Sequence, residues 1–291
     1  MKTSESIYKF FKISRYPYIW IMTGGQFFCG AYLASLFTNE IIPVALVILM
    51  LLWFMIFGNA FSCGINDAFD FESDRLNPRK RDIEITATPQ EKSVFIKIAL
   101  LSLLTFLPFT LILNQVALAL FFVWVAGILL YNLPPVRFKR IPFVNVLGGP
   151  VYGVPVALMG YALVAGSLPD WSYITLGTLL AIYGLLVTGD ALDFPFDKEA
   201  GWRTTGVILG SSRRVFMVAL LVLASAITYS IWLGLWPLVA IGSVFVLFNL
   251  YEIWLDRVET HRLQIFRNFY IVSSIFWFLL LNHYTLKIIG F

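Results

Sequence analysis

The stretch IIPVALVILMLLWFMIFGNAFSCG, residues 41–64, carries no charged side chain from end to end. Crossing the hydrocarbon core of a bilayer takes about 20 apolar residues in a helix. In lipid only helices and closed barrels satisfy their own backbone polar groups. The stretch therefore reads as a membrane-crossing helix. Segments of the same kind recur at 16–38, 93–113, 115–133, 143–166, 171–189, 213–235, 237–256 and 266–286, separated by short polar loops. Together they predict an all-α integral membrane protein, a bundle of about nine transmembrane helices around a central cavity.

Composition agrees. The 291 residues are 59% hydrophobic and 13% charged, with mean hydropathy +0.81, whereas soluble domains carry roughly a quarter charged residues. Lys and Arg are retained in cytoplasmic loops. Here every basic residue except Lys287 falls at the amino terminus or in alternate loops: after the second, fourth, sixth and eighth spans. That pattern predicts a multi-pass protein of the cell membrane with its amino terminus in the cytoplasm and its carboxyl terminus outside. The net charge of +4 is accounted for by this topology and calls for no nucleic-acid partner. The first span follows a long polar and amphipathic lead without a small-residue cleavage site, which reads as a retained helix. Cys29 and Cys63 fall inside spans, as buried thiols. His261 and His283 show no ligand spacing and are read as non-catalytic.

Residues 1–291 form a single membrane-embedded domain in this reading, with halves at about 16–133 and 143–286 built on one plan. Each half sends a span inward to an acidic segment: GINDAFDFESDRLNPRKRD at 64–82 and GDALDFPFDKEAGWRTTG at 189–206. Asn66, Asp70 and Asp74 repeat every four residues and share one face of a helix continuing from the second span; Asp67 adds a neighbour. Asp190, Asp193 and Asp197 follow i, i+3, i+7 spacing and also align. Stacked like charges destabilise a helix unless a cation offsets them. A charge run between spans is ordinarily a solvated loop. Two runs on the same side, with helical spacing, point instead to a site, because membrane-embedded carboxylates are costly and functional. Seven oxygen-bearing groups suit a hard divalent ion, and Mg²⁺ fits when a substrate phosphate completes its shell.

Asn66-x-x-x-Asp70-x-x-x-Asp74 and Asp193-x-x-x-Asp197 resemble the two signature motifs of the UbiA superfamily of intramembrane prenyltransferases, and the nine-helix layout is similar to that family's fold. Tyr131, Pro134, Pro135, Arg137 and Lys139 after the fourth span support the resemblance, as do Lys198-Glu199-Ala200-Gly201 and Thr204-Thr205. Within the superfamily the wording GINDAFDFESDRLNPRK is most similar to lycopene elongases, which attach a five-carbon unit to a carotenoid. One departure is Pro195, between Asp193 and Asp197, which removes a helix hydrogen bond and is expected to loosen or end the helix there.

The resemblance implies transfer of a prenyl group from an isoprenyl diphosphate donor to a lipophilic acceptor such as lycopene, with Mg²⁺ as cofactor and membrane lipid as surroundings. Asp70, Asp74, Asp193 and Asp197 would be catalytic. With Asn66 they would ligate Mg²⁺, directly or through water, and Asp67 and Asp190 would support the cage. Arg15, Arg137 and Lys139 are candidates for the remaining phosphate oxygens, although topology alone also places basic residues there. Tyr131 is a candidate for the cavity wall and Asn145 for a supporting or acceptor contact. Gly24, Gly25, Gly148, Gly149, Gly153 and Gly160 are read as sites of close helix approach. The same motifs serve quinone-forming and other lipid-forming members, so they report the donor and leave the acceptor open. A transporter is the competing class, since intramembrane acids also mark ion paths.

Overall fold

The computed structural model describes residues 3–16, 18–38, 40–77 and 87–255. Among them every regular element is helical. A surface helix α1 (Thr3–Ile13) is followed by α2 (Tyr18–Thr38), α3 (Val44–Asp74), α4 (Lys92–Leu104), α5 (Gln115–Asn132), α6 (Gly148–Ala165) and α7 (Trp171–Glu199). A short α8 (Thr205–Leu209), then α9 (Ser212–Trp232) and α10 (Trp236–Leu255), complete the described chain. Six of these runs are long and apolar enough to cross a membrane, as a multi-pass membrane protein requires. The 21-residue α2 packs along α6, and α10 along α9. The predicted span at 266–286, and the placement of the carboxyl terminus that depends on it, lie outside the described residues.

Local chemistry sets the helix ends. Asn114 accepts the Ala117 N–H at 2.9 Å, Asp170 that of Ser172 at 2.8 Å and Ser211 that of Arg214 at 3.3 Å, each satisfying a donor that the first helical turn leaves unpaired. The two larger apolar cores among the described residues lie inside the bundle. One joins α2, α3, α5 and α6 through Phe27, Phe54, Trp124 and Met159; the other joins α7, α9 and α10 through Tyr183, Phe216, Leu223 and Phe245.

The lengths of α3 and α7 position everything that follows. At about 1.5 Å per residue, the 31 residues of α3 and the 29 of α7 extend roughly 46 and 43 Å, against about 30 Å of hydrocarbon. Helices of that length have room for the acidic segments at their ends to lie outside the hydrocarbon. Each also contains one π-helical stretch, Phe54–Gly58 ahead of the acids in α3 and Leu186–Asp190, ending on the first acid, in α7. A π turn accommodates an extra residue and so turns the face that comes after it, and such turns are frequent at functional sites.

Pro195 does not end its helix, contrary to expectation: the helical segment Ala191–Glu199 runs through it. The carbonyl that loses its partner to proline is that of Ala191, and the Ser212 hydroxyl donates to it at 2.7 Å. A long-range hydrogen bond from the start of α9 thus replaces the missing local one.

The tightest crossing lies between α2 and α6. A Cβ at Gly30 would stand 1.7 Å from the Ala157 carbonyl oxygen, and one at Gly160 would stand 1.9 Å from that of Phe27. Only glycine fits on either side. Gly149 meets the Ala181 carbonyl in the same way, at 2.1 Å, whereas Gly25 has nothing within 4 Å and serves no close approach among the described residues. Replacement Gly160→Ala is expected to lower stability in detergent by about 1–3 kcal/mol through overpacking. Gly177→Ala, where a Cβ meets nothing within 4 Å, should leave the melting temperature unchanged or raise it. Equal losses in the two variants would show that the crossing is not what demands glycine.

Candidate active site

The acidic ends of α3 and α7 meet. Asn77, in the turn that prolongs α3, donates from Nδ2 to Asp193 Oδ1 at 2.8 Å across 116 residues of sequence. Asp70 and Asp193 consequently share one end of the bundle. Asp67, Asp70, Asp74, Asp190 and Asp197 are buried there, and Asp193 is half-buried.

A buried carboxylate is tolerable only when paired, and the three basic residues singled out from sequence supply partners. Arg15 Nη2 lies 2.5 Å from Asp67 Oδ1. Lys139 Nζ lies 2.6 Å and Arg137 Nη2 3.2 Å from the same oxygen of Asp70. Lys139 also donates to Asn132 Oδ1 at 2.7 Å and reaches Asn66 Oδ1 at 3.5 Å, while Arg137 donates to the Phe69 carbonyl. Burial pushes the Lys139 ammonium down to about 8, against the pull of Asp70. Arg15 and Arg137 both sit in left-handed backbone, with φ of 58° and 45°, a conformation that a long side chain rarely takes and that surrounding structure must hold. Thus both arginines are fixed by the fold as well as by their ion pairs.

Asn145 organises the second acidic helix. Its Nδ2 donates to both oxygens of Asp190, at 2.8 and 3.1 Å, and its Oδ1 accepts from the Thr205 N–H at 3.0 Å and the Thr205 hydroxyl at 2.5 Å. Gly206 permits this approach, since a Cβ there would stand 2.7 Å from the Asp190 carbonyl. Thr204 adds a hydrogen bond to Asp197 Oδ2 at 3.3 Å. Tyr131 is buried, and its hydroxyl donates to the Asn145 carbonyl at 2.9 Å; it acts as a strut behind Asn145.

Sequence reading missed Asn77 and Asn132. Asn77 continues the face of Asn66, Asp70 and Asp74 one turn further, a signal that spacing alone contained. Asn132 had none, because its partner Lys139 reaches it through a loop. Among the described residues, no three His, Cys, Asp or Glu side chains converge closely enough to hold a cation by themselves. Six aspartates, Asp67, Asp70, Asp74, Asp190, Asp193 and Asp197, nonetheless gather at this end. Such an oxygen-rich, negative surface fits a hard divalent ion whose remaining ligands come from elsewhere.

Comparison with known proteins returns a consistent picture. A family model described as the UbiA prenyltransferase family matches residues 25–283. The lycopene elongase/hydratase of Haloarcula japonica is 30% identical over 240 residues, which cover 80% of this chain and 79% of that protein. The lycopene elongase/hydratase of Haloferax volcanii is 32% identical over 242 residues, covering 78% and 76%. Among solved structures, a UbiA homolog from Archaeoglobus fulgidus bound to DMAPP and Mg²⁺ superposes with a TM-score of 0.65 at 21% identity, over 92% of this chain and 98% of that one. The same homolog bound to GPP and Mg²⁺ gives 0.62 at 20% identity over the same shares.

The Asn145 network yields a direct expectation. Asn145→Ala strips partners from Asp190 and Thr205 at once and should cost about 1–3 kcal/mol of stability, read from thermal unfolding in detergent. Asn145→Asp, which sets a carboxylate against Asp190, should cost more. Wild-type stability in both variants would show that the network does not hold this end of α7.

Proposed function

Because this chain belongs to the UbiA prenyltransferase family, we propose that it transfers a prenyl group from an isoprenyl diphosphate to a lipophilic carotenoid, with Mg²⁺ at the acidic end of the bundle. The observation that carries the reading is the Asn77–Asp193 contact, which makes one site out of two acidic helix ends. Membership of a prenyltransferase family selects an enzyme over the competing transporter.

In this reading Asn66, Asp70 and Asp74 on α3 and Asp193 and Asp197 on α7 would hold Mg²⁺, with Asp67 and Asp190 in support. Bound Mg²⁺ supplies charge neutralisation for a departing diphosphate. The chain's own residues do the rest. Arg15, Arg137 and Lys139 already stand against Asp67 and Asp70. From there they can turn to donor oxygens, the arginines by their planar fork and Lys139 as a point charge. Asn145 and Thr204 orient the carboxylates of α7. Apolar helices beyond the acids exclude water from the allylic carbon once its bond to oxygen weakens.

Two lines support the choice of substrates. The curated relatives above are named for lycopene elongation, and the solved neighbours hold five- and ten-carbon diphosphates with Mg²⁺. A five-carbon donor and lycopene are accordingly the first pair to try. The acidic end also gathers Arg15, Arg137, Lys139 and Arg140, which by the positive-inside rule supports a cytoplasmic placement for it. Catalysis then belongs to a single domain spanning the chain, with both halves contributing.

Protein in detergent, given dimethylallyl diphosphate, lycopene and Mg²⁺, should release diphosphate and yield a carotenoid heavier by one five-carbon unit in mass spectrometry. Removal of Mg²⁺ by chelation should stop the reaction. The double variant Asp70→Ala and Asp193→Ala should lose about 10²-fold or more in turnover; unchanged turnover would remove the metal-held mechanism.

A further inference from the structure

Next to the acidic ends lies a cluster whose polar atoms are not satisfied. Trp202 follows Gly201, where the backbone turns left-handed after the last turn of α7, and is 8% exposed. The Arg140 guanidinium carbon lies 4.2 Å from the centroid of a Trp202 ring, and that of Arg137 lies 5.1 Å away. The indole therefore draws two cations from the 137–140 loop onto the end of α7. Trp202 Nε1, Arg137 Nε and Arg140 Nε are all buried without an acceptor among the described residues. Buried donors are paired in the large majority of cases, and each exception calls for an explanation. Three in one cluster, two of them on cations, ask for a single acceptor with several oxygens and negative charge. None of the three can act as an acceptor itself, which excludes mutual pairing.

Resting on the function proposed above, we propose that Trp202 binds the donor substrate. Its indole N–H donates to a phosphate oxygen of the isoprenyl diphosphate, while its ring holds Arg137 and Arg140 toward the same group. Arg137 is already joined to Asp70 at 3.2 Å, so the cluster adjoins the residues assigned to the metal. Trp202 thereby ties recognition of the diphosphate to the loop after α7. It contributes nothing to recognition of the prenyl chain or of the acceptor.

Two variants test this in steady-state kinetics with Mg²⁺, dimethylallyl diphosphate and lycopene, using inorganic pyrophosphate as a competitive probe of the headgroup site. Trp202→Phe keeps a ring and loses the N–H. It should raise KM for the donor and Ki for pyrophosphate by the same factor, about tenfold, as expected for one hydrogen bond to a charged group. Its kcat and its KM for the acceptor should stay within twofold of wild type. Arg140→Gln, at a half-exposed position, should weaken pyrophosphate inhibition by a smaller factor, and it decides the matter if Trp202→Phe does not fold. Unchanged pyrophosphate inhibition in a folded Trp202→Phe, or in Arg140→Gln, overturns the proposal, as does a loss confined to kcat. Wild-type protein that neither turns over the donor nor binds pyrophosphate would instead overturn the function on which the proposal rests.

Discussion

Carboxylates crowded at one end of a lipid-embedded bundle repel one another, and they are costly to bury unless something of opposite charge or a hydrogen-bond donor stands beside each. The features of the acidic end answer that constraint. Arg15 meets Asp67, Lys139 and Arg137 meet Asp70, Asn145 takes both oxygens of Asp190, Thr204 reaches Asp197 and Asn77 takes Asp193. These partners come from the turn after α1, the turn after α3, the loop before α6, and the turn after α7. The acids thereby dictate where four separate connections must pass. In the proposed reaction stability and chemistry are in tension, since groups that neutralise the aspartates would also be the ones to meet an anionic substrate.

Much of this was legible in the sequence. Charge-free stretches of the right length gave the helices, because lipid leaves the backbone no other choice. Spacing of four between Asn66, Asp70 and Asp74 gave a shared face, and the same spacing carried the family resemblance that the match over residues 25–283 bears out. What escaped were contacts between residues distant in the chain. Pro195 looked like a helix breaker since the rule for proline is local, whereas its remedy, the Ser212 hydroxyl, stands on another helix. Gly30 went unremarked because only the path of α6 shows that a Cβ there would strike a carbonyl. The π turns in α3 and α7 have no simple compositional signature.

Basic residues carried a double meaning that sequence could not divide. Topology alone would place Arg15, Arg137 and Lys139 at one face of the membrane. The burial of Lys139, the left-handed backbone of both arginines and the ion pairs of all three with the acids set them apart from the exposed Arg75 on the same side. Arg140 stands between these groups, pairing with the exposed Glu72 at 3.4 Å while lying against Trp202.

The excess length of α3 and α7 bears on a problem of solubility that the proposed reaction would pose. An allylic diphosphate is a polyanion that stays in water, and a carotenoid is an oil that stays among acyl chains. Neither enters the other's phase at useful concentration. Two helices that overshoot the hydrocarbon by roughly 13–16 Å carry their acids to the seam between the phases without interrupting the apolar wall beneath. Reactants of opposite solubility could then touch there, each still solvated by its own medium.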